Sequence, residues 1–185
     1  MIDCETLEKV DSIIPSGGRL VSQTATHDEL VKRAERWLKS QGCGVVFRDA
    51  FKAYTGNGEL PDAIGWRDGL SILIECKTSR SDFLADKGKR FRKADVGCGM
   101  GDWRFYLCPS DIIRVDDLPE GWGLLYAKGR QIVKVHGYPG NCGWWSRKPF
   151  EGNKRSETQM MYSALRRMVI RGHFDEIYDG LPKDG

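Results

Sequence analysis

The stretch Pro61-Asp62-Ala63-Ile64-Gly65-Trp66-Arg67-Asp68-Gly69-Leu70-Ser71-Ile72-Leu73-Ile74-Glu75-Cys76-Lys77 decides how the rest of the chain is read. Ala63 to Trp66 is a short apolar run, Leu70 to Lys77 is a longer one, and Arg67-Asp68-Gly69 between them has the make-up of a tight turn. The expectation is an antiparallel hairpin. Side chains alternate sides along a strand, so Ile72, Ile74 and Cys76 point into a core while Glu75 and Lys77 emerge together on the opposite face. Asp62 begins the partner strand, and the turn brings it roughly across from Glu75.

Two carboxylates and an ammonium at one spot suit phosphodiester hydrolysis. Mg²⁺ prefers oxygen ligands and takes one or two protein carboxylates while keeping several waters, which leaves room for phosphate. Asp62 and Glu75 are the expected metal ligands, and Mn²⁺ fits the same oxygen donors. A bound metal lowers the pKa of its water. Lys77 can orient or help deprotonate the attacking water, and its charge favours the developing anion.

Upstream, a helix is expected from about Thr26 to Gln41, with Thr26 and Glu29 in capping-box order. Leu30, Val31, Ala34, Trp37 and Leu38 form its apolar stripe, His27 falls on the apolar side, and Gly42 stops it. Val45-Val46-Phe47 reads as a short buried strand. Downstream, Ser79 or Ser81 can cap a helix running to about Lys93, with Phe83, Leu84 and Phe91 on its buried side. Trp103 to Cys108 is a further strand, and Gly123 to Ala127 with Gln131 to His136 form a second hairpin. A last helix spans Ser156 to Arg171, with Ser156 and Gln159 in capping order and a core stripe of Met161, Leu165 and Met168. The order of elements predicts an α/β sandwich with a mixed central sheet.

Asp62, the twelve residues that follow it, and then Glu75-Cys76-Lys77 resemble the motif of the PD-(D/E)XK nuclease superfamily. Asp62 stands for the motif aspartate, Glu75 for the (D/E), Cys76 for the variable residue and Lys77 for the lysine. The following Thr78-Ser79-Arg80-Ser81-Asp82-Phe83-Leu84-Ala85-Asp86-Lys87 is similar to the DNA-repair (MmcB-like) and phage-type members, where the motif lysine leads directly into such a helix. The resemblance covers roughly residues 26–136. It implies an αβββαβ restriction-endonuclease-like core with a mixed central sheet flanked by helices, here with an added C-terminal helix. It also implies Asp62, Glu75 and Lys77 as catalytic residues, Mg²⁺ or Mn²⁺ as cofactor, and DNA as substrate in repair or in phage and mobile-element DNA processing. Many members carry an acidic residue in the first helix. Glu29 is preferred for that role, although the capping box accounts for it equally well, and Glu35 beside the apolar stripe is the alternative.

The net charge is only +3, but it is unevenly spread. From Lys77 to Lys93 there are seven Lys/Arg against Asp82 and Asp86, and from Arg147 to Arg171 seven more against Glu151 and Glu157. Two basic blocks in a near-neutral chain form either a phosphate-binding face or two solvated faces. The expected nucleic-acid contacts are Lys87, Lys89, Arg90, Arg92 and Lys93, which would give affinity without sequence reading. Trp144, Trp145, Arg147 and Lys148 follow, where tryptophans beside basic residues can stack bases unless the rings pack inward. The rival to a DNA nuclease is the same fold with an idle site, holding nucleic acid or a protein; an RNA nuclease is a third reading.

At 185 residues the length suits one domain. The expected divisions are a peripheral segment at 1–25, a core at 26–136, and a C-terminal loop and helix at 137–185 packed on it. Six cysteines lie far apart without a C-x-x-C pair, which favours reduced thiols over zinc or disulfides. No apolar run reaches membrane-spanning length, and the acidic opening lacks the order of a signal peptide, so a cytoplasmic protein is expected. A homodimer or a larger DNA-processing complex is compatible with a domain this small, though no residue demands either.

Overall fold

The computed structural model of the protein describes residues 25–89, 98–140 and 143–180. Helix α1 (His27–Ser40) comes first, followed by β1 (Val45–Arg48), β2 (Ala63–Arg67) and β3 (Leu70–Cys76). Then come α2 (Arg80–Lys87), β4 (Trp103–Pro109), β5 (Gly123–Lys128), β6 (Gln131–His136) and α3 (Lys154–Arg171). The six strands lie side by side in chain order in one mixed open sheet. Strands β1, β2 and β3 form an antiparallel meander, β3, β4 and β5 run parallel, and β6 returns antiparallel. Among the described residues the protein is thus an α/β fold with a mixed six-stranded sheet and three α-helices.

The central hairpin forms as its sequence predicts. Asp68 and Gly69 both take positive φ, 46° and 76°, which is the backbone a two-residue turn between twisted strands requires. Ala63 pairs with Ile74 and Arg67 with Leu70. Continuing that register by one residue sets Asp62 opposite Glu75. All seven residues of β3 are buried, so both faces of the sheet are covered there.

On one face Ile72, Ile74 and Cys76 pack with Phe105 and Leu107 beneath Leu30, Val31, Ala34, Trp37 and Leu38 of α1. The apolar stripe of α1 is the expected one. Its N-terminus carries both arms of the capping box: the Thr26 N–H donates to Glu29 Oε2 at 2.7 Å, and the Glu29 N–H donates to Thr26 Oγ1 at 3.3 Å. Replacing Thr26 with Ala removes an acceptor for the first-turn N–H groups and should lower stability by about 1 kcal/mol, read by urea denaturation. On the other face Leu73, Tyr106 and Leu124 meet Phe83 of α2 and Met160 of α3, together with Trp122 and Ile113.

Several expectations are corrected. β1 is an edge strand, with Val45 48% exposed, because it pairs only with β2. Helix α2 ends at Lys87 with Gly88 at its C-cap, and Leu84 faces solvent while Phe83 turns inward; Phe91 lies outside the described residues. In α3 the cap is Asn153, whose side chain accepts the Ser156 N–H, and Ser156 is itself buried one turn in. Only the first turns of α3 pack on the sheet, through Ser156, Glu157 and Met160. The Met161, Leu165 and Met168 stripe is therefore not core: Leu165 is exposed and both methionines are half-buried.

A buried polar network anchors α3. Glu157 Oε1 accepts from Ser71 Oγ (2.8 Å) and the Gly101 N–H (2.9 Å), and its Oε2 accepts from Trp66 Nε1 (3.2 Å) and Lys154 Nζ (3.2 Å). Asp102 accepts from Lys154 Nζ (2.6 Å), the Ser71 N–H (2.9 Å) and the Gly152 N–H (3.0 Å). Burial pushes the Asp102 carboxyl up, but the Lys154 bond and the two backbone donors outweigh it and hold it below the usual aspartate range. Because its folded pKa is depressed, the Asp102 contribution to stability is present above the unfolded value near 3.8 and is lost as the pH falls through the folded one. An Asp102→Asn protein should therefore melt well below wild type at pH 7, and the gap should narrow toward pH 3; a pH series of thermal melts checks this.

Candidate active site

The site lies at the C-terminal end of β3. The alternation that buries Leu73 on the α2 face places Glu75 and Lys77 on the same side, and pairing with β4 sets Tyr106 beside Glu75. The Lys77 N–H donates to the Leu107 carbonyl at 2.9 Å, which carries the ladder one residue past the strand and fixes the direction of the lysine. Lys77 Nζ lies 3.7 Å from Glu75 Oε2, 3.4 Å from Asp86 Oδ1 and 3.8 Å from Asp82 Oδ1. Glu75 and Lys77 are 3% and 4% exposed, so their ion pair sits in a desolvated setting, where charges act on one another strongly.

Asp62 reaches the same strand from β2. Its Oδ2 accepts the Cys76 N–H at 2.8 Å, and its Oδ1 lies 3.3 Å from Nε2 of His27 on α1. It is therefore held against the backbone of the residue between Glu75 and Lys77. Burial first, and then the Asp62 and Glu75 carboxylates, push the Cys76 thiol well above the ordinary cysteine range. Cys76 is a packed, protonated side chain of the core rather than a nucleophile. Cys43, pushed up to about 11, and Cys108, pushed up to about 12, are likewise buried. Cys43, Cys76, Cys98 and Cys108 are all free thiols.

Glu29 is not brought to this cluster. Its carboxylate is engaged by the Thr26 N–H in the capping box, and it faces a groove on the flank of α1. Glu35 pairs instead with Lys39 (2.8 Å) and Arg48 (2.9 Å). His27 is half exposed and turned toward Asp62 rather than packed in the core, which corrects its expected placement.

Asp86 is the residue that sequence reasoning missed. It is 1% exposed, accepts from Tyr106 Oη at 3.1 Å, and pairs with Lys89 at 2.6 Å as well as with Lys77. One signal was available: Asp86 lies three residues after Phe83, on the buried face of α2.

Among the expected nucleic-acid contacts, Lys89 is exposed but turned onto Asp86. Lys87 is the last residue of α2, and Arg90, Arg92 and Lys93 lie outside the described residues. Trp144 is 2% exposed, its carbonyl accepts from Trp103 Nε1 (2.8 Å), and its ring packs edge-on to Trp103 and Tyr138. Its ring has no free face for a base, a correction that follows from its apolar neighbours. Trp145 is 43% exposed beneath the Arg67 guanidinium, Arg147 is exposed, and Lys148 pairs with Glu151.

Ser71 and Lys154 could be read as a nucleophile and base, since Lys154 Nζ lies 2.9 Å from Ser71 Oγ. Ser71 is fully buried and already bonded to Asp102 and Glu157, so the pair belongs to the α3 anchor.

Among the described residues no three His, Cys, Asp or Glu side chains gather into a metal-holding group. The β2–β3 register sets Asp62 opposite Glu75, and two carboxylates are the number and donor chemistry that Mg²⁺ takes from protein when water and phosphate complete its shell. Also among the described residues, no helix is long and apolar enough to cross a membrane. Comparison of the chain with protein-family models, curated proteins and solved structures returns no match.

Proposed function

We propose that the protein is a metal-dependent nuclease of the PD-(D/E)XK kind, acting on DNA. The observation that carries this reading is the C-terminal end of β3: Glu75 and Lys77 side by side on one face, with the Asp62 carboxylate bonded to the N–H of the residue between them. The order α1, β1, β2, β3, α2, β4, with an antiparallel meander followed by a parallel crossover, supports a restriction-endonuclease-like core.

Asp62 and Glu75 would hold Mg²⁺ or Mn²⁺, which supplies charge neutralisation at the phosphate and an acidified water. Lys77 Nζ lies among Glu75, Asp82 and Asp86, where it can donate to the attacking water or to a phosphate oxygen as negative charge builds. Asp86 acts on Lys77 and not on substrate: with Tyr106 and Lys89 it fixes where the ammonium sits.

A second reading has its own support. Glu75 and Lys77 are nearly closed to solvent, and Lys77 is held among three carboxylates, the arrangement expected if the fold binds nucleic acid or protein without cleaving. Incubation of labelled single-stranded, duplex and branched DNA, and of RNA, with Mg²⁺, Mn²⁺ or EDTA separates the two. Metal-dependent cleavage of DNA is expected. Folded protein that binds DNA in a salt-sensitive way and cuts nothing would favour the binding module.

A further inference from the structure

Glu29, Lys32, Arg33, Arg36 and Arg130, with Ala25 and Gly129, line a groove of about 600 Å³ between α1 and the turn joining β5 to β6. The groove continues along α1 past Arg33 and Arg36 to Trp37, Ser40 and Ile132. Four cations therefore face one carboxylate, and that carboxylate is bonded to the Thr26 N–H. Lys32 is offset by Asp28 at 2.7 Å, and Arg33 donates from Nη2 to the Gln131 carbonyl at 2.6 Å, tying α1 to the turn. Arg36 and Arg130 are exposed and have no ion-pair partner among the described residues.

The topology puts this groove at the same end of the sheet as the candidate site. β3, β4 and β5 are parallel, so their C-terminal ends at Cys76, Pro109 and Lys128 share one edge, and the Gly129-Arg130 turn follows directly. The N-terminus of α1 reaches that edge too, where His27 meets Asp62. Across the sheet, β5 is two strand spacings from β3, roughly 10 Å. Because the groove lies on the α1 face and Glu75 and Lys77 on the α2 face, a strand serving both passes over the end of the sheet as well as across that interval.

We infer that this groove is a phosphate-binding track for the nucleic-acid strand whose backbone runs across the end of β3, with Arg36 and Arg130 as its principal contacts. The inference rests on the nuclease-fold reading, and it differs from the basic blocks at residues 77–93 and 147–171 by placing the track on the α1 side. Arginine suits this position because its planar fork matches phosphate oxygens, while Arg33 is already committed to the backbone of the turn.

The test uses the full chain and an Arg36→Gln/Arg130→Gln double variant, checked for folding by circular dichroism. Binding of fluorescein-labelled single-stranded and duplex DNA of mixed sequence is followed by anisotropy in EDTA over a range of salt. Losing two phosphate contacts should flatten the slope of log affinity against log salt by about 1.4 for single strands or about 1.8 for duplex, and weaken binding at least about tenfold at low salt. An unchanged salt slope with affinity within twofold of wild type would overturn the track while leaving the site at the end of β3 untouched. Failure of wild type itself to bind either DNA would overturn the track together with the reading beneath it.

Discussion

Lys77→Ala is expected to lose at least about 100-fold in metal-dependent DNA cleavage, because it removes the cation that lies 3.7 Å from Glu75 and is placed to meet developing charge there. The same substitution has a structural cost. Glu75 and Asp86 are buried, and withdrawing the ammonium leaves them facing each other with less compensation, although Lys89 and Tyr106 still serve Asp86. Breaking a buried ion pair on one side costs about 3 kcal/mol, or roughly 6–12 °C in melting temperature for a chain of this size. Activity is therefore best compared well below the melting temperature of the variant. Lys77→Met, which keeps the apolar stem and removes the charge, should be as inactive as Lys77→Ala. Cleavage by either at the wild-type rate would remove Lys77 from the chemistry.

The largest purely structural effect is expected from Glu157→Ala. The carboxylate accepts from Ser71, the Gly101 N–H, Trp66 and Lys154; the Ser71 and Gly101 donors are buried and Trp66 is partly buried. Orphaning these donors should cost about 3–5 kcal/mol, on the order of 10 °C in melting temperature. Glu157→Gln, which keeps an acceptor oxygen, should recover part of the loss. A thermal midpoint of Glu157→Ala within a degree or two of wild type would show that α3 is not anchored through this network.

The parts of the fold legible in the sequence were those set by local chemistry. Asp68-Gly69 specifies its turn through positive φ, and the turn then fixes the register that sets Asp62 opposite Glu75. The stripe and capping box of α1 were equally plain, because both are written within a few residues.

What was not legible depends on partners distant in sequence. Nothing around Val45 marks β1 as an edge strand; that follows from which strands pair. The methionine and leucine spacing of α3 reads as a core stripe, but the helix packs only through its first turns because its anchor is polar and comes from Ser71 and Asp102. At the candidate site the shared face of Glu75 and Lys77 followed from strand alternation. Asp86 and His27 needed the packing of α2 and α1 against the sheet, and Glu29 drops out of the cluster because the local cap uses it.

The central claim is that Glu75 and Asp62 serve a metal used to cut DNA, and it is tested most directly with wild type and Glu75→Gln on one labelled DNA substrate, in Mg²⁺ and in EDTA. Glutamine keeps the size and the hydrogen-bonding capacity of the side chain while removing the charge a divalent ion requires. Cleavage by wild type that needs Mg²⁺ and falls at least about 100-fold in folded Glu75→Gln is the predicted result. Cleavage undiminished by EDTA, or retained in full by Glu75→Gln, would contradict the account.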